Sequence, residues 1–549
     1  MNKKLIIFIM ISTILYAGFS ESDTSVYVPD LKTDVEGSTL KASENDLPDF
    51  STIITIDNKS NDIKIVMPSS SQSDKENLIE NEKREMERTF AIEGLIGATY
   101  PLGFDGNFCI YTIYGQNPFK IDFKHTSMNG YANNNLSSGY NDRLTSALIE
   151  KEFNLNEAQI KIGASFYDQG NGLQNKSVNI SDINKEIGNV FGNINLEFPN
   201  GFFLYTGVDG EVYDRFSTIM NYTSSVIVQN PWISNNVMIS LSPNVYVERK
   251  IDQFVFGVKA DYDFEYNINN SISEIYELNT GNRLNRGEFT LISEWKNDFS
   301  KLFANVSLVI GDHIGQNSFI IPFTIGVNFD FPVYFSTKKM DFKVEGGVKS
   351  VHNLVSDLEK KYDFSAISII PYETSNIYLK GNLFVPIINT MELKLDVDYE
   401  KTLYGNGEWY PDYDISNMKN GLYTYTMKEQ HILKTDLRFS ILYKLFLFNV
   451  DWKANWLDCP ILEEYNTFLL ETGLKSDNWG LTGSIEYSPA AYDSMPNIGV
   501  ASFIKVNSKI QLNVSLDDLV KLFKGEKRSF QKYYAARGGS VNVSTKINF

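Results

Sequence analysis

Val541-Asn542-Val543-Ser544-Thr545-Lys546-Ile547-Asn548-Phe549 is the stretch that decides the fold. Side chains of an extended strand alternate with period two. Val541, Val543, Thr545, Ile547 and Phe549 therefore share one face, and Asn542, Ser544, Lys546 and Asn548 the other. In a soluble sheet a terminal strand of this kind is an unprotected apolar edge. Closing the sheet removes the edge, because the last strand pairs with the first. The expectation is an all-β protein: a transmembrane antiparallel β-barrel of about 22 strands, in the range 20–24, with long extracellular loops and short periplasmic turns.

The same alternation recurs upstream. Phe254, Phe256, Val258, Ala260, Tyr262, Phe264 and Tyr266 alternate with a polar set that carries Lys259, Asp261, Asp263 and Glu265. Met340, Phe342, Val344 and Val348 alternate with Asp341, Lys343, Glu345 and Lys349. Met391, Leu393, Leu395, Val397 and Tyr399 alternate with Glu392, Lys394, Asp396, Asp398 and Glu400. Runs of about ten residues or more suit a tilted bilayer crossing, whereas sandwich strands are nearer five or six. If the apolar face meets lipid, the polar face lines a lumen. Asp261, Asp263, Glu265, Asp341, Glu345, Glu392, Asp396, Asp398 and Glu400 are then candidate lumen carboxylates, and rings of such groups favour cations.

Connections give an independent test. Short turns are expected at Gln116-Asn117-Pro118, Pro199-Asn200-Gly201, Glu248 to Asp252, Lys296 to Ser300, Pro386 to Asn389, Ser476 to Asn478 and Asn507-Ser508. Asn, Gly, Pro and Asp dominate them, as turn geometry requires. Longer connections fall between: Asn129 to Asn141, Asp168 to Lys185, Asp214 to Asn235, Ile268 to Leu284, Ser350 to Glu373, Tyr404 to Glu429 and Asp517 to Gly538. The alternation assigns the short turns to the periplasm and the long loops to the outside.

At the other end, Lys3 and Lys4 precede an apolar run, Leu5 to Leu15, and then Gly18-Phe19-Ser20. That pattern reads as a signal peptide, residues 1–20, cleaved after Ser20. Residues 21–89 are rich in Ser, Asp, Glu, Asn and Lys and poor in aromatics. They read as a flexible periplasmic segment with a short charged helix around Lys75 to Glu87. The barrel then occupies residues 90–549. The apolar island Thr52-Ile53-Ile54-Thr55-Ile56 could add as a strand to the sheet edge of a periplasmic protein, and Ile63 to Met67 is a second island. Local β-structure is the plainer reading of both.

Composition agrees with an exported membrane protein. The 549 residues include 37 Phe and 31 Tyr, yet mean hydropathy is only -0.23. A net charge of -18 argues against nucleic acid as a partner. Two cysteines, Cys109 and Cys459, make no disulfide framework. His125, His313, His352 and His431 form no metal-ligand spacing, so no enzymatic activity, cofactor or metal is expected. Asp412 and Asp414 beside Tyr410 and Tyr413 could present a cation or a sugar with ligands. A solvated loop is the plainer reading of them.

Two resemblances add to this reading. The terminus resembles the assembly signal of bacterial outer-membrane barrels, with Ile547 where an aromatic is usual. It implies outer-membrane lipid and the barrel assembly machinery as partners. The strand number resembles that of TonB-dependent outer-membrane receptors. Gln511 to Leu519, Tyr533-Tyr534 and Arg537-Gly538-Gly539 look like the last hairpin of those receptors, without its Pro. Residues 21–89 do not look like the folded plug such receptors carry. The resemblance implies solute transport, as a porin-like or plug-less receptor-like channel for passive passage. The alternative is a surface adhesin or outer-membrane scaffold whose N-terminal arm docks a periplasmic partner.

Overall fold

The computed structural model describes residues 54–55, 64–65 and 90–548, apart from 113–116, 131–138, 156, 178–179, 220–235, 269–282, 313–318, 334–335, 368–372, 406, 458–465, 489–494, 526–527, 531–532 and 537. Antiparallel strands from Phe90–Tyr100 to Ser540–Asn548 close into one barrel of 22 strands. Closure is made by the terminal strand, with Val541 opposite Tyr100 and Asn548 opposite Glu93. Val543 stands on the outer face, half-exposed, while Asn542 and Ser544 turn inward, Asn542 Nδ2 donating to Asp105 at 2.7 Å. Phe549 lies outside the described residues.

The outer face is apolar where strands cross. Ile96, Leu291, Ile325, Leu379, Leu481 and Ile504 each expose half or more of their surface. In water such a belt would drive aggregation, and a closed barrel is the one sheet whose backbone is satisfied in lipid. Exposed aromatics stand at or beside the short turns: Phe198, Phe254, Phe299, Phe331, Tyr443, Phe446 and Trp479. That is the interfacial girdle of an outer-membrane barrel. Among the described residues no helix is long and apolar enough to cross a membrane.

The short turns are built as their composition dictates. Asn297 Oδ1 accepts from the backbone N–H of Phe299 and Ser300, at 2.9 and 2.7 Å. Asn507 Oδ1 does the same for Lys509 and Ile510. Tight turns not singled out in the sequence join Leu155 to Ala158 and Tyr443 to Phe446, the latter with Lys444 at a φ of 53°. On the opposite side Pro101-Leu102 is a two-residue connection.

Two connections need correction. Asp168 to Lys185 and Asp214 to Asn235 were expected to be loops, but the strands run on: Ala158–Gly172, Ile180–Glu197 and Phe202–Ile219. The reason is an inversion of polarity within one strand. Along Ile180–Glu197 the lower outward positions are Val190, Gly192 and Ile194, with Asn189, Asn193 and Asn195 inward. Above Gly188 the same inward parity holds Ile183 and Ile187, both buried, and the outward positions are Asp182, Asn184 and Glu186. The strand has left the lipid there. Its apolar face now serves an internal core and its outer face meets water, so the alternation survives with its sense reversed.

Barrel height therefore varies around the circumference. Strands from Asn141–Leu155 to Arg283–Lys296 have 14 to 18 residues. Those from Phe446–Asn455 through closure to Phe119–Asn129 have 8 to 11, about the least that spans a bilayer.

The loop cap as candidate functional site

The described parts of three long connections, within residues 352–373, 405–430 and 518–539, pack together. Tyr423 N–H donates to Phe364 O at 2.8 Å and Ala366 N–H to Tyr423 O at 3.1 Å, tying the first two. Tyr534 from the third stacks on Phe364 at 3.8 Å between ring centroids and donates its hydroxyl to Gly421 O. Gln174, at the top of the tall wall, exchanges two hydrogen bonds with the backbone of Ala535, at 2.8 and 2.9 Å.

The cap is seated inside the mouth. Val355, Leu358, Tyr362, Ile367, Trp409 and Tyr410 form one apolar core with inward wall residues Ile187, Tyr213, Met238 and Leu284. A Leu or Val buried this way contributes roughly 1.5–3 kcal/mol, so docking is substantial. Trp409, Tyr410, Tyr413 and Tyr423, which the sequence placed on a surface loop, are all buried. Asp412 and Asp414 organise their own turn: Asp414 accepts from Ser416 N–H, and Asp412 from Asp414 N–H and Asn417 Nδ2. Among the described residues no His, Cys, Asp and Glu cluster could hold a metal ion.

Polar contacts fix the cap's position. The Val355–Lys361 helix carries Glu359, which is 0% exposed. Its Oε1 pairs with Arg215 and accepts from Ile367 N–H at 2.7 Å, and its Oε2 accepts from the Tyr213 hydroxyl. Lys185, equally buried, donates to the carbonyls of Glu359 and Tyr362, the latter at 3.0 Å. Arg215 Nη1 also reaches Ile367 O at 3.2 Å. Tyr425 donates to Leu358 O at 3.0 Å. Burial pushes the Tyr425 phenol well above its ordinary range, so it remains a donor. The helix start meets Glu265, whose Oε1 accepts from Val355 N–H at 3.2 Å.

None of Lys185, Arg215 or Glu359 was singled out in the sequence. A signal existed: Ile183-x-Lys185-x-Ile187 and Tyr213-x-Arg215 place single cations on apolar inward positions, which demands a partner. The partner lies 144 residues away, where no local pattern reaches it.

The candidate lumen carboxylates stand on the face opposite the exposed apolar residues, and most meet a cation. Asp261 pairs with Lys259 at 2.9 Å, Glu345 with Lys343 at 2.7 Å, Asp396 with Lys394 at 2.9 Å and Asp398 with Lys380 at 3.8 Å. Glu392 meets Lys338, and Glu400 meets Lys349 at 2.7 Å. Asp263 pairs with Arg286 at 3.2 Å, and Arg286 also holds Glu288 and Glu373. Asp341 stands opposite Asp330. Interleaved pairs rather than unpaired acidic rings line the wall at these positions, which weakens the case for strong cation preference.

Of the candidate partner strand, Ile54 and Thr55 pair antiparallel with Ile65 and Lys64, joining the two islands. Thr52, Ile53 and Ile56 lie outside the described residues, as do Cys459, His313 and the expected helix at 75–87. Cys109 is a half-buried free cysteine.

No protein-family model matches the chain, and no curated protein matches it. Solved structures do. The chain is similar to the FrpB iron transporter of Neisseria meningitidis (F3-3 variant), at 9% identity and a TM-score of 0.61, over 86% of this chain and 83% of that one. It is similar to the ferric enterobactin receptor PfeA of Pseudomonas aeruginosa (a point mutant in complex with enterobactin), at 9% identity and a TM-score of 0.58, over 84% and 81%. The siderophore receptor PirA of the same organism gives 9% and 0.57, over 84% and 80%. At these identities the likeness is one of fold: the chain forms a closed barrel that resembles that of TonB-dependent outer-membrane receptors.

Proposed function

We propose that the protein is an outer-membrane transport barrel whose external entrance is closed by its own loops, with 352–373 as the gate. The observation that carries this reading is Glu359, wholly buried in the mouth and gripped by Arg215 and Tyr213 of the wall. A surface adhesin has no use for burying its longest loops in its own lumen. A constantly open porin would not seat an apolar core across its entrance. The solved structures it resembles are described as an iron transporter and siderophore receptors, which supports transport as the class. Solute passage then needs the cap to move. The paired lumen charges imply weak ion selectivity once it does. Residues 21–89 are assigned to the periplasm, where the 52–56 island offers a strand to a partner protein.

Single-channel conductance in planar bilayers tests this. Wild type should conduct rarely, and replacing residues 355–367 by a short Gly-Ser linker should raise mean conductance severalfold. Deleting residues 21–89 should leave the cap, and hence the low conductance, in place. Steady wild-type conductance equal to that of the linker variant would make the protein an open pore. If no variant conducts, transport itself falls.

A further inference from the structure

The geometry points to a carboxylate-binding site on the wall of the mouth, formed by Lys185, Tyr213 and Arg215, which Glu359 occupies when the cap is closed and a soluble dicarboxylate takes over when it opens. The inference rests on the gated-transport reading and adds a substrate class to it.

Lys185 and Arg215 are direct cross-strand partners, and both point inward. They are 1% and 2% exposed, so two positive charges sit side by side away from water. Like charges so placed are strongly unfavourable unless an anion joins them. Among the described residues Glu359 is the carboxylate in direct contact. Arg215 Nη2 has no hydrogen-bond partner among the described residues even so, which leaves the site a donor to spare. Asp363, the next carboxylate that Lys185 senses, belongs to the same loop and is held by Gln169. When 352–373 leaves, both acids leave with it. At this site the wall keeps two cations and a phenol, with Glu211 one step lower on the same face.

The grip on Glu359 is that of a ligand site. The wall supplies a guanidinium to one carboxylate oxygen and a hydroxyl to the other. A solute carboxylate can reuse both bonds unchanged. Lys185, which holds two loop carbonyls in the closed form, is then freed for a second carboxylate. The site lies at the external end of its strands, a few residues below the tips at Ile180 and Ile219, where an incoming solute arrives first. Docking of solute and docking of the loop exclude each other, so the ligand favours the open cap by mass action.

The test uses the full chain in detergent, with succinate as probe and inorganic phosphate as the competing chemistry, read by titration calorimetry. Glu359→Gln should bind succinate at least tenfold more tightly than wild type, because the loop no longer competes with a charge. Adding Arg215→Gln should abolish that binding. In wild type, succinate should speed trypsin cleavage after Lys360 or Lys361, a readout that needs no variant to fold. Heat-modifiable gel mobility checks that each variant is a closed barrel. Equal succinate binding by wild type and Glu359→Gln, or binding that survives Arg215→Gln, overturns the site. Phosphate binding as tight as succinate overturns the carboxylate assignment. Higher conductance in Glu359→Gln without succinate binding rejects the site and leaves the gate standing.

Discussion

The tall and short walls of this barrel follow the same alternation and do different work. On the short wall, strands such as Thr467–Lys475 and Ile510–Asp517 have 9 and 8 residues, just enough to cross. On the tall wall, Ile180–Glu197 and Phe202–Ile219 have 18 each, and the surplus stands above the bilayer. Lys185, Tyr213 and Arg215 lie in that surplus. The lesson is that length beyond the bilayer requirement builds a water-bathed collar with an interior of its own. Its Arg215–Glu359 pair is buried, whereas pairs of the lower wall, such as Arg438 with Asp436 and Asp451, are half-open to solvent on the cation side.

The largest expected difference follows from that burial. Arg215→Ala strands Glu359 in a dry site and should weaken cap docking by about 3–5 kcal/mol, the usual result of breaking a buried pair. Trypsin cleavage after Lys360 and Lys361 should become fast. Arg438→Ala, at a pair 45% exposed on the cation side, should change stability by less than about 1 kcal/mol. Similar effects from the two variants would mean that the collar is as wet as the lower wall.

A second contrast tests the boundary between collar and bilayer. Val208 is exposed on the outer face of Phe202–Ile219, near the middle of the part that the bilayer covers. Val208→Lys should lower stability against urea in lipid vesicles by about 2–4 kcal/mol. Glu186→Lys, on the outer face above Gly188, should have almost no effect. A large loss at Glu186 would put the membrane edge higher than the polarity inversion does.

Much of this was readable from the chain. Alternation marked the Phe254, Met340 and Met391 strands and the terminal strand, and Asn- and Gly-rich turns fixed which side is short. The collar was not, because Ile183 and Ile187 continue the alternation with the apolar face turned inward. Beside polar Asp182, Asn184 and Glu186, that change resembled a loop. The cap was hidden for another reason. Leu358, Trp409, Tyr410 and Tyr423 have no periodic spacing, and their partners lie on strands far away in sequence. A loop core made by non-local contacts leaves only composition behind, here an excess of aromatics in a connection expected to be solvated.

The smallest expected effect is a pH dependence of the cap alone. Glu408 lies in the 405–430 loop, its Oε1 accepting from Asn376 Nδ2 at 2.6 Å, and Asn376 also donates to Glu400. Burial raises the Glu408 pKa first, and the neighbouring Glu400 carboxylate raises it further. With the cap undocked, Glu408 returns to the ordinary carboxylate range. The docked form therefore binds a proton more tightly than the undocked one, so acidification favours docking. The penalty on the closed cap is full above the raised pKa and disappears below the ordinary one. As the pH falls from neutrality toward the ordinary carboxylate range the cap should tighten, seen as slower cleavage after Lys360 and Lys361 once the protease's own pH dependence is subtracted with an unstructured substrate. Glu408→Gln should make the profile shallower, slowing cleavage most at the alkaline end. Faster cleavage at the lower pH would place the controlling proton on another group, and would point back to the pairs that hold the wall.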